Sequence, residues 1–491
     1  MSLPAQAAEG QLEIRVIDKE SRKPVACRMH LKTAAGKPRF PKKVSAWDDH
    51  FVVPGKTLLR LPLGNYTFEM ERGPEYPVIS GHFTFTKFAD DSKEIELPRH
   101  VEMSSKGWWS GDLDVRRPLR DIELLMAAED LHVVPLVTWW NGRGERTVDK
   151  LPKDALERIG PDRFCQVMGG QQTRPGGTLS YFNLPAPLRL GSASDEYPPT
   201  AQYVEQVRKH PGTWIDATRP YWWDLPMLAA LGLVDSIQVA HGDMCRSKML
   251  LPPPGSKPRD EKLYANVRGI GQWSHDAYFH LLNCGLRIPP SAGSGSGVGP
   301  NPVGYNRVYV HVDGPLTYEK WWEGFRAGRV TVTNGPLLQP SVSGQLPGHV
   351  LEEPEGRPAE FEIALTLSTR EPIHYLEIIK DGHVEHEVSF DDYRQGGRLP
   401  KIRFDRSGWF LLRAVTDLPN TYRFAMTGPY YVQIGPRPRI SKRSAQFLLD
   451  WATERQRQIE LDDPQQRAAV VAFHQKAREF WQDLLSKANA E

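Results

Sequence analysis

Trp108-Trp109-Ser110-Gly111-Asp112-Leu113-Asp114-Val115-Arg116-Arg117-Pro118 reads as a buried strand with a polar tip, closed by a turn at Pro118. Behind it, Asp121 to Ala128 places Ile122, Leu125 and Met126 at helical spacing. A second apolar run, Val133 to Thr138, then ends in Trp139-Trp140-Asn141. Strand, helix and strand make a βαβ unit, whose two polar tips lie at the carboxyl ends of neighbouring parallel strands, where α/β barrels keep their chemistry.

Working outward, 491 residues exceed one ordinary domain, so several units are expected. Lys+Arg 62 against Asp+Glu 60 leaves a net charge of +2, too balanced for a nucleic-acid binder with a basic face. No apolar run reaches the roughly 18 residues of a membrane span. The four cysteines, Cys27, Cys165, Cys245 and Cys284, show no CxxC spacing, so neither a disulfide framework nor a zinc-thiolate site is expected. Ala5-Gln6-Ala7 has the small-x-small pattern of a signal-peptidase site and points to an exported (periplasmic or secreted) protein.

Residues 9–104 alternate as an all-β unit, with strands at Leu12–Val16, Pro24–Leu31 and Leu58–Leu63 and a turn at Gly64-Asn65. Residues 105–340 alternate strands with helical stretches, the pattern of a parallel α/β barrel. Further strands are expected at Phe164–Gly170, Leu179–Leu184, Thr213–Arg219, Ser236–His241 and Asn306–Val312, with Gln171–Gly177 as a tight connection and Ile288–Pro302 too rich in Gly and Ser to form an element. Residues 341–435 return to a β pattern, including a hairpin at Asp381-Gly382. Residues 436–491 form a helical tail: Ser441 caps one helix and Pro464 starts another, both with an apolar face for docking.

The two strand tips resemble those of the PHP (polymerase and histidinol phosphatase) superfamily, in particular its CehA/McbA-type metallohydrolase branch. There the first strand reads Gly-Asp-Leu-His-x-His and the second ends Thr-Asp-His-Asn. Here the same places hold Gly111-Asp112-Leu113-Asp114-Val115-Arg116 and Thr138-Trp139-Trp140-Asn141. The closing order of the unit resembles that branch as well, with Ser294-Gly295-Ser296-Gly297 where Ser-Asp-x-His is usual, then Thr333-Asn334-Gly335-Pro336. The first unit is similar to transthyretin-like or carboxypeptidase-regulatory-like sandwiches, with Pro62-Leu63-Gly64-Asn65-Tyr66 as the turn. The resemblance implies a PHP-like distorted (β/α) barrel flanked by N- and C-terminal β-sandwiches, and a hydrolase chemistry.

The family's metal ligands are largely replaced. Its first His pair is Asp114 and Arg116, its Asp-His pair is Trp139 and Trp140, its Glu falls at Gln171 or Gln172, and its late Asp-x-His is Gly295 and Gly297. Arg repels a cation and Trp cannot ligate one, so a trinuclear centre is not expected. Asp112, Asp114, Asp216, Asp224, His241 and Asp243 remain near strand ends. Asp114, His241 and Asp243 could hold one zinc, iron or manganese ion, or none is bound and Asp114 or Asp243 acts as a base beside Arg116. Eight of the fourteen tryptophans form doublets, and strand doublets put one ring on each face. Trp139, Trp140, Asn141, Trp222 and Trp223, with Arg174 and Arg307, therefore suggest a pocket of aromatic walls and guanidinium groups.

Two functions are expected from the sequence. One is a hydrolase or lyase acting on a carbohydrate-like or aromatic small molecule or an oligosaccharide. The other is a non-catalytic carbohydrate-binding protein on a degenerate metallohydrolase scaffold.

Overall fold

The structure is a computed structural model that describes residues 9–86, 90–142 and 154–491; Ala5-Gln6-Ala7 lies outside them. Two sheets form the N-terminal unit. One has three strands, in which Glu9–Asp18 lies between Lys56–Pro62 (antiparallel) and Asp90–Leu97 (parallel). The other has five, centred on Cys27–Thr33 and Gly64–Glu71. Ile14, Val16, Leu59 and Leu61 from the first pack on Met29, Leu31 and Phe51 from the second. Alternation along these strands places one apolar face of each sheet inward.

The central region corrects the expected barrel. Strand accounts for 37% of the chain and helix for 21%, and the strands join a sixteen-stranded mixed sheet instead of a ring of parallel strands with helical crossovers. The βαβ unit itself is present: Trp108–Gly111, helix Leu119–Ala128 and Val133–Trp140, the two strands parallel. It does not repeat around a closed ring. Gly177–Phe182 runs antiparallel to both its neighbours, Arg163–Arg174 and Trp214–Ala217. The register Arg174↔Gly177 leaves only Pro175-Gly176 as the loop, too short for a helical crossover, so the expected connection at 171–177 is mostly strand.

On the other flank, Arg307–His311 pairs antiparallel with Trp108–Gly111 and then with Val330–Thr333. The latter continues to Phe424–Thr427, so the sheet crosses the expected boundary at 340 and runs into the C-terminal β region. That region buries Leu338, Phe361, Leu376, Phe404, Phe410 and Leu412. Its Asp381-Gly382 hairpin has both turn residues at positive φ, 51° and 84°.

The tail helices, Lys442–Arg457 and Pro464–Ser486, are capped by Ser441 and Asp463. Trp451 stacks on Trp273, and Trp481 donates its indole N–H to Pro226 O at 3.1 Å. Each tail helix thus docks its apolar stripe on the body of the protein.

The segment 112–116 prolongs the first strand. On one side Asp112 N donates to Val133 O (3.2 Å) and Val137 N to Val115 O (2.9 Å). On the other, Leu113 N reaches Ala292 O (3.0 Å), Arg116 N reaches Ser296 O (2.8 Å) and Ser296 N reaches Asp114 O (3.2 Å). The Gly/Ser stretch expected to be too flexible is therefore held in place. Pro290–Ala292 is a strand, and Ser294 and Ser296 are fully buried.

Candidate functional site

The polar tip 112–116 meets the loops that follow Trp214–Ala217 and Ser236–Ala240, and two carboxylates there are structural. Asp112 is fully buried and accepts from Asp114 N (3.0 Å), Ser294 N (2.9 Å) and Gly304 N (2.7 Å). Burial pushes its carboxyl up to about 7 despite these donors. Asp216, also pushed up to about 7 by burial, accepts from the hydroxyls of Ser236 and Ser291 and from Gln238 Nε2 (2.7 Å).

Asp243 is saturated. Arg219 makes a bidentate pair with it, Nε to Oδ2 at 2.7 Å and Nη2 to Oδ1 at 2.9 Å, and Tyr221 donates its hydroxyl to the same Oδ2. Burial works against the charge, yet Arg219 holds this carboxyl well below the usual range. His241 is fully buried with Nε2 2.9 Å from Ser274 Oγ. Ser274 gives its own proton to Ile270 O, so Nε2 carries the imidazole proton. His241 Nδ1, 3.5 Å from Asp243 Oδ2, has no hydrogen-bond partner among the described residues.

Asp114 and Arg116 are in the opposite condition. Asp114 is 7% exposed and takes one weak bond, from Gln171 Nε2 at 3.3 Å. Burial raises its carboxyl, with Asp243 adding to the rise and Arg116, Arg219 and Gln171 opposing it. The Arg116 guanidinium lies 5.1 Å from the Trp140 ring centroid, and its buried Nε has no partner among the described residues. Burial lowers its affinity for a proton, and Asp114 offsets only part of that. The Trp140 indole N–H is buried and likewise has no partner among the described residues.

Several expected site residues are structural. Trp139 is 2% exposed, stacks on Tyr181 and donates to Met168 O. Asn141 clamps the backbone at Thr173 and Gly191, its amide donating to both carbonyls and accepting from Thr173 N. Arg174 donates to Pro198 O beneath the Tyr203 ring. Arg307 is 1% exposed and is used up on the carbonyls of Gly304 and Glu129. Trp223 lies under Lys257, which also faces Trp451 of the tail. Asp224 is tied to Arg455 at 2.7 Å. Trp222 is nearer the site, with Arg219 5.5 Å over its ring, but it is 7% exposed and donates its indole N–H to Thr218.

The expected metal set is corrected too. Asp114, His241 and Asp243 are neighbours, but both Asp243 oxygens are held by a guanidinium that a cation would have to displace. The group among the described residues whose ligand atoms lie within 4.8 Å of one another is elsewhere, in the N-terminal unit: His30, Asp49 and His50. An imidazole pair with a carboxylate is a composition that can hold a divalent ion. In that group the Nδ1 atoms of His30 and His50 stand 3.1 and 3.3 Å from Asp49 Oδ1. However, Arg28 Nε donates to His30 Nε2 at 3.1 Å, which leaves the His30 proton on Nδ1, the atom that would ligate. Metal there would require Arg28 to turn away. Sequence patterns missed this group because His30 and Asp49 are nineteen positions apart on different strands and loops.

No protein-family model matches the chain, and no curated protein matches it. Among solved structures, the Bacillus anthracis TIE protein is similar at 16% identity and TM-score 0.16, over 23% of this chain and 20% of that one. The chain thus spans about a fifth of that protein's length, and so slight a likeness carries no argument.

Proposed function

We propose that the chain binds an anionic small molecule, carbohydrate-like or aromatic, at Arg116 and acts on it as a hydrolase or lyase with Asp114 as the acid–base group. One observation carries this: a half-buried guanidinium with an unpartnered Nε, stacked on Trp140 beside a carboxyl held toward its neutral form. Buried cations are ordinarily paired, and a carboxylate or sulfate on the ligand would complete this one bidentately. Trp140 offers a ring face and an N–H to the same ligand. A carboxyl raised in this way can exchange a proton with a leaving oxygen while Arg116 holds negative charge. The arrangement calls for no metal ligand at Asp243.

The saturation of Asp243 favours a second reading. Asp243 is engaged by Arg219 and Tyr221 and is not open to act as a base, whereas a binding protein on this scaffold needs only Arg116 and Trp140. The deciding experiment measures binding of D-glucuronate, D-galacturonate and 4-hydroxybenzoate by calorimetry, with turnover assayed on their methyl glycosides and esters. Arg116→Met should abolish binding, and unchanged binding would end the proposal. Asp114→Asn should keep affinity and lower turnover by about 10²- to 10⁴-fold if the chain is an enzyme. Binding without turnover in the unaltered protein selects the second reading.

A further inference from the structure

A hollow of about 480 Å³ lies on the seam between the N-terminal unit and the central sheet, a volume in the range of small-molecule sites. Trp47 and Asp48 line it from the first, Lys248 and Leu250 from the loop after the strand Ser236–Ala240, and Val298–Pro300 from the Gly/Ser stretch. Trp47 is half-buried and held across the seam: its indole N–H donates to Gly299 O at 2.8 Å, and the Arg117 guanidinium lies 4.7 Å from its ring centroid. The side chains of Asp48 and Lys248 are exposed, and neither has a hydrogen bond or ion pair among the described residues.

The hollow adjoins the strand tip. Arg116 N donates to Ser296 O at 2.8 Å, and a methyl group built on Gly297 would stand 2.1 Å from Arg116 O and 3.3 Å from Arg116 Cβ. Only glycine fits there, at φ 95°, so the backbone leading to Val298 lies against the root of the Arg116 side chain. Gly299 N in turn donates to Gly295 O at 2.8 Å, and a methyl group on Gly295 would stand 3.7 Å from Asp114 Oδ2. Asp114 and Arg116 therefore border the same short segment, 295–299, whose far end lines the hollow.

We propose that this hollow is a second sugar subsite: the ligand is an acidic oligosaccharide whose uronate unit pairs with Arg116 and whose neighbouring neutral unit lies on Trp47, with Asp48 and Lys248 on its hydroxyls. An indole wall suits the C–H face of a sugar ring, and one acceptor with one donor suits hydroxyl groups, which both give and take hydrogen bonds. The two charges balance, so this end of the ligand needs none. The inference rests on the reading of Arg116 as the anion-binding group and narrows its ligand from any anionic small molecule to a chain of at least two sugar units.

Calorimetry on the full-length protein tests this by comparing D-glucuronate with cellobiouronic acid, a glucuronate joined to a glucose. The disaccharide should bind about tenfold more tightly, and Trp47→Ala should bring that ratio to about one. Lys248→Met should cut the ratio about threefold and, at an exposed side chain without a partner among the described residues, covers the case in which Trp47→Ala does not fold. Equal affinities for the two ligands in the unaltered protein, or an undiminished ratio in either folded variant, would overturn the proposal. The Arg116 reading fails separately, if glucuronate does not bind or binds equally well to Arg116→Met; a disaccharide that still needs Trp47 then keeps the hollow as a sugar site. Binding of neither ligand overturns both.

Discussion

Two Asp–Arg combinations lie side by side in this protein and differ in every respect that matters for function. Arg219 and Asp243 form a two-pronged pair, capped by Tyr221 and closed to further partners. Asp114 and Arg116 share a segment of three residues but make no hydrogen bond to each other. Adjacent-but-one residues in an extended segment point the same way, so both reach one space without being able to close a fork-to-carboxylate ring. The saturated pair holds loops together, whereas the open one has capacity left for a ligand. The composition is the same in both, and the completeness of the bonding tells them apart.

Removal of the guanidinium from each should break the comparison most widely. Arg219→Ala leaves Asp243 buried and unpaired and should cost about 3–5 kcal/mol in denaturant unfolding. Arg116→Ala should be close to neutral in the same measurement, because it removes a cation that has no bonded counter-charge. Equal losses in the two variants would mean that Arg116 is structural.

The doublet Trp139-Trp140 sharpens the contrast at the level of a single strand. Trp139→Ala empties a core site against Tyr181 and Gly170 and should cost about 3–5 kcal/mol of stability. Its neighbour belongs to the ligand side.

A third prediction uses pH. Asp112 and Asp216, pushed up to about 7 by burial, keep protons in the folded state that the unfolded chain releases near its ordinary carboxylate range. Their contribution to stability is present below about pH 4 and is lost as pH rises through about 4 to 7. Asp243 behaves in the opposite sense: held low by Arg219, it contributes above about pH 4, and that part disappears on acidification. Melting temperatures of Asp216→Asn between pH 5 and 8 should therefore fall less steeply than those of the unaltered protein, and an unchanged slope would contradict the assignment. The smallest effect is expected from Trp140→Ala, which should weaken ligand binding by about 0.5–2 kcal/mol, read by calorimetry, with little change in melting.

Much of the local structure was legible in the sequence. The βαβ unit at 108–140, the Asp381-Gly382 hairpin and both tail helices follow from periodicity, turn chemistry and capping residues, all properties of neighbours in the chain. The meeting of Arg116 and Trp140 was legible too, because both stand at the tips of neighbouring strands. Arg174 and Arg307 misled for a physical reason: a guanidinium serves as well to bind backbone carbonyls as to bind an anion, and its position in sequence does not say which. The barrel failed because apolar strand patterns carry no sign of direction. Arg163–Arg174 and Gly177–Phe182 would read alike whether a crossover or a two-residue turn joined them in space.

By itself, then, the chain determined its elements, its alternating faces, and the pairing of a carboxylate with a guanidinium two residues apart on an extended tip. Only the tertiary structure decided that the strands join one mixed sheet running into the C-terminal region and that Asp243 is spoken for by Arg219. Local pattern is set by bonds along the chain. Saturation and close approach depend on residues tens to hundreds of positions apart, brought together by burial of the apolar surface they share.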